Sequence, residues 1–291
     1  MVVRFRVAGV TVAIHSAHST PAIQLPAALR PFATSRGADI RLAFSTDTIP
    51  RPPEADLLFD SGAVWRVYRW HQGLLYTFST PALNPPAYKA VEIDRRFRRG
   101  ILYYPHPIAG RRAGSALDFP LDELLFQHRL ARDGELELHA CGIIADGRVL
   151  LFCGKSGAGK TTTARLWRRY SREAHILSDD RIVIRRRGGR PWAFGTPWHG
   201  AGGFASPAGG PIGAIFFLAH TATTTIHRLD APGAAARLFA RTFPPIWDRH
   251  AVQATLSTCS SLAEVIPCYV LGFRPDRSAV KAVLERTSSK P

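Results

Sequence analysis

The sequence predicts a mixed α/β protein of two domains, with a β-rich domain over 1–113 followed by an α/β domain with a mixed sheet over 114–291. With 291 residues, 46% of them hydrophobic, the chain can bury two modest cores. The first part holds short β-like stretches between turns, whereas the second alternates strands and helices around a glycine-rich loop. These two observations give the class and the boundary.

The N-terminal domain is predicted from its β-like stretches. These are VRFRVAGVTVAI, DIRLAFS, AVWRVYRWHQGLLYTFS and GILYYPH. Proline is dense between them, as in IPRPPEAD and TPALNPPAY, and proline marks turns. The segment DRRFRRG over 94–100 is interpreted as a solvated β-turn in preference to a docking patch for an acidic peptide.

The second domain begins with an amphipathic helix in PLDELLFQHRLARDG. The strands ELELHACGIIA and RVLLFC follow, joined by an Asp146-Gly147 hairpin turn. Next come the glycine loop, the helix KTTTARLWRRYS and one strand, AHILSDDRIVIRR. A strand at GAIFFLAH, a helix over 233–241 and a strand at VIPCYVLGF complete the prediction.

The net charge of +16 raises the question of nucleic-acid binding. The cations are scattered along the chain, and no helix-turn-helix, zinc-finger or aromatic-rich strand signature accompanies them, so this class is disfavoured. The four cysteines lack CxxC spacing and are predicted to be buried apolar residues. Because there is no signal-peptide pattern and no run of about 18 apolar residues, we expect a cytoplasmic protein without membrane spans.

The glycine loop matches G-x-x-x-x-G-K-[ST] at every fixed position and lies between a predicted strand and helix. Its backbone N–H groups would wrap a polyphosphate, with Lys160 at the outer phosphates and the Thr161 hydroxyl on magnesium. The predicted cofactors are therefore ATP and Mg²⁺. The predicted nucleotide-binding residues are Gly154, Lys155, Ser156, Gly157, Ala158, Gly159, Lys160, Thr161 and Thr162. Lys155 is expected to be solvated, and the competing interpretation is a chance glycine loop.

Two aspartates follow the loop at the end of HILSDD, whereas Glu173 precedes that strand and is expected to face solvent. One of Asp179 and Asp180 could hold magnesium while the other accepts a proton from an acceptor hydroxyl. The alternative is an acidic turn paired with arginines. His139 lies on the strand before the one that feeds the loop, and a hydrogen-bonded core histidine is its competing interpretation.

In order, RLARDG, LHACG, LLFCGKSGAGKTT and ILSDDR resemble the catalytic domain of HPr kinase/phosphorylase. They look closer still to the HPr-kinase-like serine kinases of bacterial peptide-modification clusters, including those acting on lasso-peptide precursors. The resemblance covers about 120–273 and implies a fold related to phosphoenolpyruvate carboxykinase. It also implies that His139 and Asp179 handle an acceptor serine, that Asp180 and Thr161 bind metal, and that the chain forms a homo-oligomer such as a hexamer. The division of roles between the two aspartates stays open.

The sequence departs from that family in two places. The family has a glutamate in a glycine-containing signature downstream, but here the region reads FGTPWHGAGGF, which puts the phosphorylase reaction in doubt. The family's later phosphate-contacting arginine has no clear counterpart, so Arg241 and Arg249 are both candidates. Trp198 and His199 could line an acceptor pocket, or Trp198 could be a buried turn aromatic.

The sequence thus predicts a kinase in which Lys160, Asp179 and His139 act on the serine of a protein or peptide. The alternatives are a kinase for a small hydroxyl compound and a non-catalytic nucleotide sensor. A carboxykinase-like lyase is disfavoured, because the chain is short after the loop and lacks additional metal ligands.

Overall fold

The computed structural model describes residues 1–17, 23–62, 64–79, 87–105 and 116–288. The chain is mixed α/β and divides into two compact units, Met1–Arg129 and Leu130–Pro291, each with its own mixed sheet. This division falls within the helix that the sequence analysis placed at the start of the second domain. Two of the sequence predictions, the domain boundary at 113/114 and the turn-rich TPALNPP stretch, lie outside the described residues.

The first unit is built on an eight-stranded sheet. Its strands are β1 Val2–Val7, β2 Val10–His15, β3 Ile40–Ser45, β4 Leu57–Asp60, β5 Trp65–Trp70, β6 Gly73–Phe78, β7 Lys89–Asp94 and β8 Arg99–Tyr103. They lie in the order β1-β2-β3-β8-β7-β6-β5-β4, and only the β2–β3 and β3–β8 pairs are parallel. The prediction of a β-rich N-terminal part is confirmed, although β4 and β7 were missed.

Helix α1 spans Leu121–Arg132, and its residues up to Arg129 belong to the first unit, where they contact buried aromatic residues. The rings of Phe5 and Phe126 are 5.8 Å apart, and Tyr76 Oη lies 2.9 Å from His128 Nδ1. At the β7–β8 turn, the Asp94 carboxylate accepts three backbone N–H bonds, from Arg96, Arg98 and Arg99. The predicted turn at DRRFRRG is therefore confirmed.

The second unit combines eight strands with four helices. The strands are β9 Leu136–Ala145, β10 Arg148–Cys153, β11 His175–Ser178, β12 Arg181–Arg187, β13 Arg190–Gly195, β14 Gly209–His220, β15 Thr225–Arg228 and β16 Cys268–Phe273. The helices are α2 Lys160–Tyr170, α3 Ala231–Phe239, α4 Arg249–Val265 and α5 Arg277–Ser288. Sequence reasoning missed β13, β15, α4 and α5.

Strand pairing in the second unit closes on itself. β9 pairs with β10 and β12, β12 with β13, β13 with β14, and β14 returns in parallel to β10. β16 continues from β14 in parallel, and β15 closes that edge. Two apolar clusters cover the sheet, one including α3 and α4 and the other including α2 and α5. The loop between β10 and α2 is therefore held between two elements that pack into these apolar clusters.

Two sequence predictions bear directly on the site. The hairpin turn between β9 and β10 is confirmed, since Asp146 and Gly147 both have positive φ, at 48° and 72°. The single strand predicted for AHILSDDRIVIRR is wrong, because β11 ends at Ser178 and β12 begins at Arg181. Asp179 and Asp180 thus lie in a break between two strands. Their side chains therefore do not have to point to opposite faces of the sheet, as neighbouring residues within a strand do.

Among the described residues, no helix combines the length and apolar composition needed to span a membrane.

Candidate functional site

The glycine loop leaves β10 at Cys153 and enters α2 at Lys160, as the sequence predicts. Gly157 and Gly159 have φ of 79° and 101°, a region that residues with a Cβ seldom adopt. A Cβ on Gly159 would also lie 2.7 Å from Phe273 Cζ. The first turn of α2 leaves N–H groups without intrahelical acceptors, so the loop and the helix together present donors to an anion.

Lys160 is buried and folds back over the loop. Its Nζ donates to the carbonyl oxygens of Gly154 and Lys155 at 3.1 and 3.2 Å, and lies 3.9 Å from Asp180 Oδ1. Burial lowers the pKa of Lys160, although the Asp180 carboxylate opposes this effect. A phosphate bound in the loop would therefore favour the charged form of the Lys160 ammonium group. Lys155 is exposed.

Asp179 is buried, and three donors hold its carboxylate. The Thr161 hydroxyl donates to Oδ2 at 2.7 Å, and the N–H of Gly202 donates to the same oxygen at 2.8 Å. Oδ1 accepts the N–H of Gly200 at 2.9 Å. Asp179 thus links the first turn of α2 to the GTPWHGAGGF segment, and it is directed at the hydroxyl predicted to ligate magnesium.

Asp180 is the partner of His139. His139 Nε2 lies 2.9 Å from Asp180 Oδ1, and the side chains are 20% and 27% exposed. Burial alone would raise the pKa of Asp180, but the hydrogen bond with His139 and the charges of Arg181 and Lys160 outweigh it and lower that pKa. The ionised form of Asp180 is therefore favoured, and its partly exposed carboxylate lies beside Lys160 of the glycine loop.

Arg181 extends this network away from the loop. Its Nη1 contacts Asp180 Oδ2, and its Nε lies 3.2 Å from Oε1 of the buried Glu137. The guanidinium carbon is 4.3 Å from the centre of the Phe243 ring, and the His139 ring lies 5.9 Å from the same ring. Phe243 therefore packs against His139 and Arg181, the two residues that contact Asp180.

Of the two candidate arginines, Arg241 is the one whose backbone lies at the site, while its guanidinium Nη1 donates to the Arg237 carbonyl at 2.9 Å. Its carbonyl accepts the His139 N–H at 2.8 Å, its guanidinium carbon lies 5.4 Å from the Phe217 ring centre, and its charge acts on the Cys153 thiol. Within the described part of the chain, Arg241 Nε is buried without a hydrogen-bond partner. Arg249 is exposed at the first position of α4.

The remaining predicted residues separate into exposed and buried ones. Ser156, Glu173 and His199 are exposed, whereas Trp198 is buried, as its turn-aromatic interpretation predicts. All four cysteines are buried free thiols, as predicted.

A magnesium site would rest on few protein ligands. Within the ranges that the structure describes, no three His, Cys, Asp or Glu side chains are grouped to hold a metal ion. Magnesium at phosphate-transfer sites uses one or two carboxylates together with substrate phosphates and water. The hard oxygen donors of Thr161 and Asp179, 2.7 Å apart, fit that pattern.

Sequence reasoning missed several residues that build the site. Gly200 and Gly202 are essential to the position of Asp179, and the only signal was the glycine-rich GTPWHGAGGF segment itself. Arg181 directly follows the aspartate pair and could have been identified as a counter-ion. No periodicity points to Phe243.

No protein-family model matches this chain, and no curated protein matches it. The resemblance to HPr kinase/phosphorylase therefore stays a prediction.

Proposed function

We propose that this protein is an ATP-dependent kinase that transfers a phosphoryl group to the serine-type hydroxyl of a protein or peptide, on a P-loop fold of the HPr kinase type. One observation carries the proposal. The two P-loop side chains Lys160 and Thr161 meet the two adjacent carboxylates, Asp180 at 3.9 Å and Asp179 at 2.7 Å. A cradle that only binds phosphate does not require a second carboxylate paired with a histidine.

Binding of the donor is assigned to the loop and to α2. The N–H groups of the loop surround the phosphates, and Lys160 moves from the Gly154 and Lys155 carbonyls to the outer phosphates. Thr161 and Asp179 would hold Mg²⁺, which supplies charge neutralisation at the phosphates when bound. We assign contact with the transferred group to Arg241, whose buried Nε has no hydrogen-bond partner among the described residues.

The acceptor step is assigned to the His139–Asp180 pair. The hydroxyl oxygen forms the new P–O bond, the bond between the γ-phosphorus and the β,γ-bridging oxygen breaks, and ADP leaves with that electron pair. The hydroxyl proton passes to the His139–Asp180 pair. Positioning and charge neutralisation supply most of the rate enhancement, as in other phosphoryl transfers.

The geometry favours an exchange of the two aspartate roles that the resemblance implied. Asp179 has its oxygens occupied by Thr161, Gly200 and Gly202, and it is buried, which suits metal-side positioning. Asp180 is more exposed and contacts His139, which suits proton transfer. We therefore assign the base to Asp180 with His139, and the metal side to Asp179 with Thr161.

The charge around the site supports a peptide acceptor with acidic character. From 181 to 228 the sequence contains no Asp or Glu, whereas five arginines lie between 181 and 190 and a sixth at 228. Cationic surroundings attract acidic partners and disfavour basic ones.

Phosphoryl transfer can be tested with γ-labelled ATP, Mg²⁺ and a library of serine-containing peptides that vary in net charge. We expect label on serine of acidic peptides, and none on free serine, glycerol or other small hydroxyl compounds. Transfer confined to a small compound would favour the alternative acceptor. Tight ATP binding with no transfer to any acceptor would instead support a nucleotide sensor and contradict the kinase proposal.

A further inference from the structure

His220 occupies a defined place beside the phosphate loop. It is the last residue of β14, in register with Phe273, the last residue of the parallel strand β16. β14 is also parallel to β10, whose carboxyl end leads into the loop. Ligands of α/β proteins bind outside the carboxyl ends of parallel strands, so both side chains stand at the edge where a ligand is expected.

The contacts of His220 combine a ring stack with a hydrogen bond. Its ring lies over Phe273 with centroids 6.0 Å apart and planes inclined by 27°, and its Nε2 is 3.2 Å from the Gly157 carbonyl oxygen. Phe273 is buried and fills the space beneath Gly159. His220 itself is exposed, so its side chain is accessible to a ligand.

The two ends of a bound triphosphate are distinguished by the strand order. β9 lies on one side of β10, and it carries His139 and pairs with β11 and β12, which flank Asp179 and Asp180. β14 lies on the other side of β10 and ends at His220. If the transferred phosphate lies at the aspartates, the opposite end of the donor lies towards His220.

We infer that the exposed face of His220 is the surface on which the base of a nucleoside triphosphate stacks. This inference rests on the proposed function, since it concerns the donor of that same site. Aromatic rings, including imidazole, stack with bases through their π-faces. His220 would thus make a nucleoside triphosphate, rather than an inorganic polyphosphate, the preferred donor.

Calorimetric titration with ATP and with inorganic tripolyphosphate, each with Mg²⁺, tests the inference. Tripolyphosphate reports on the loop alone, whereas ATP reports on the loop and the base surface. We expect wild-type protein to prefer ATP, and His220→Ala to weaken ATP binding about tenfold, as the loss of a base–aromatic stack does. The affinity of this variant for tripolyphosphate should stay within twofold of wild type, on the scale of surface substitutions.

Two further variants separate stacking from loop positioning. His220→Phe keeps a ring without the bond to Gly157 and should bind ATP nearly as wild type does. His220→Gln keeps a hydrogen-bonding group without the ring and should resemble His220→Ala. The reverse pattern, or equal losses of ATP and tripolyphosphate affinity in His220→Ala, would overturn the inference.

Wild-type binding distinguishes failure of the inference from failure of the proposed function. Equal affinity of wild-type protein for ATP and tripolyphosphate would overturn the base-stacking role and leave the phosphate cradle standing. No binding of either compound would overturn the proposed function, and the inference with it.

Discussion

His139 and Asp180 are 41 residues apart in the sequence, yet His139 Nε2 lies 2.9 Å from Asp180 Oδ1. The sheet fixes this approach, because β9 and β12 are antiparallel with His139 opposite Arg181. The Ala140 N–H also donates to the Asp180 carbonyl at 3.1 Å. Backbone pairing therefore fixes the positions of His139 and Asp180, and substitutions of their side chains should leave the backbone around them unchanged.

Asp180→Asn removes the carboxylate that we propose accepts the proton, while keeping the side chain's shape. We expect the rate of phosphoryl transfer to fall by about 10²–10⁴-fold, as for loss of a general base, with the Kd for ATP within a few-fold of wild type. His139→Ala should reduce kcat less, because the carboxylate remains. Single-turnover transfer and calorimetric ATP binding check both variants. Wild-type kcat in Asp180→Asn would contradict the assignment of the base.

Asp179→Asn should give a different defect. The Asp179 carboxylate accepts hydrogen bonds from the Thr161 hydroxyl and from two backbone N–H groups. The asparagine amide would weaken the proposed Mg²⁺ site, and its NH₂ group would face groups that are themselves donors. We expect a lower thermal midpoint and a raised Mg²⁺ requirement, measured by thermal melts and by magnesium titration of the transfer rate. If Asp179→Asn kept its Mg²⁺ dependence and lost only kcat, the original assignment of Asp179 as base would be preferred.

The two lysines of the glycine loop should behave differently. Lys160→Ala removes the buried ammonium group, so ATP should no longer stabilise the protein. In wild type, ATP at 100 times its Kd should raise the free energy of unfolding by about 2.7 kcal/mol. Lys155 is exposed, and Lys155→Ala is the matched control in the same loop. Differential scanning fluorimetry with and without Mg-ATP compares them, and an unchanged ATP response in Lys160→Ala would contradict the cradle.

Stability at acid pH should depend on Asp180. The interactions that lower its pKa in the folded protein are absent after unfolding, so the unfolded chain binds its proton at a higher pH. This contribution is complete above the ordinary carboxyl pKa and is lost as pH falls through the lowered value. From about pH 5 to pH 3, denaturant unfolding should therefore show a steeper loss of stability in wild type than in Asp180→Asn. Parallel curves would contradict the lowered pKa.

The sequence predicted the parts of this site that depend on local pattern. The strand–loop–helix around Lys160 and the Asp146-Gly147 hairpin both follow from residue types at fixed spacing. The sequence did not predict the break between β11 and β12, because the local pattern around SDDR is that of one continuous strand. The break is associated with the hydrogen bonds that Gly200 and Gly202 donate to Asp179. Such long-range backbone donors leave no periodic signal in the sequence.

The same distinction applies to the missed elements of the second unit. Helix α4 has an Asp248 N-cap that accepts from two backbone N–H groups, but its apolar positions are interspersed with serine and threonine, so hydrophobic spacing was a weak signal. Short strands such as β15 depend on pairing with β16, which local sequence does not show. These elements depend more on contacts with distant parts of the chain than on the intrinsic helix or strand propensity of their residues.

The cysteines should be inert in the folded protein. Burial raises the pKa of Cys259 to about 12 and that of Cys268 to about 11, and it also raises those of Cys141 and Cys153. Because the thiolate is the reactive form, a thiol reagent at pH 8 should label native protein slowly and denatured protein at all four positions. A rapidly labelled native cysteine, identified by peptide mass mapping, would contradict this placement.

Gly202→Ala tests whether the bare backbone at this position holds Asp179 in place. The Gly202 N–H donates to Asp179 Oδ2 at 2.8 Å, and an added Cβ would lie 2.6 Å from that oxygen and 2.7 Å from Phe204 Cδ2. Because one of these neighbours must move, we expect a loss of about 1–3 kcal/mol in unfolding free energy, typical of overpacking. Phosphoryl transfer should fall with it, since Asp179 also binds the Thr161 hydroxyl.

Ala201→Ser is the matched control. Ala201 is exposed in the same segment, so the serine adds one side-chain atom without entering the Asp179 site. It should unfold and transfer phosphate as wild type does. Denaturant unfolding and initial transfer rates of the two variants provide the comparison. If Gly202→Ala matched Ala201→Ser in both, the Asp179 carboxylate would not depend on the GTPWHGAGGF segment, and its assignment to the metal side would lose its structural basis.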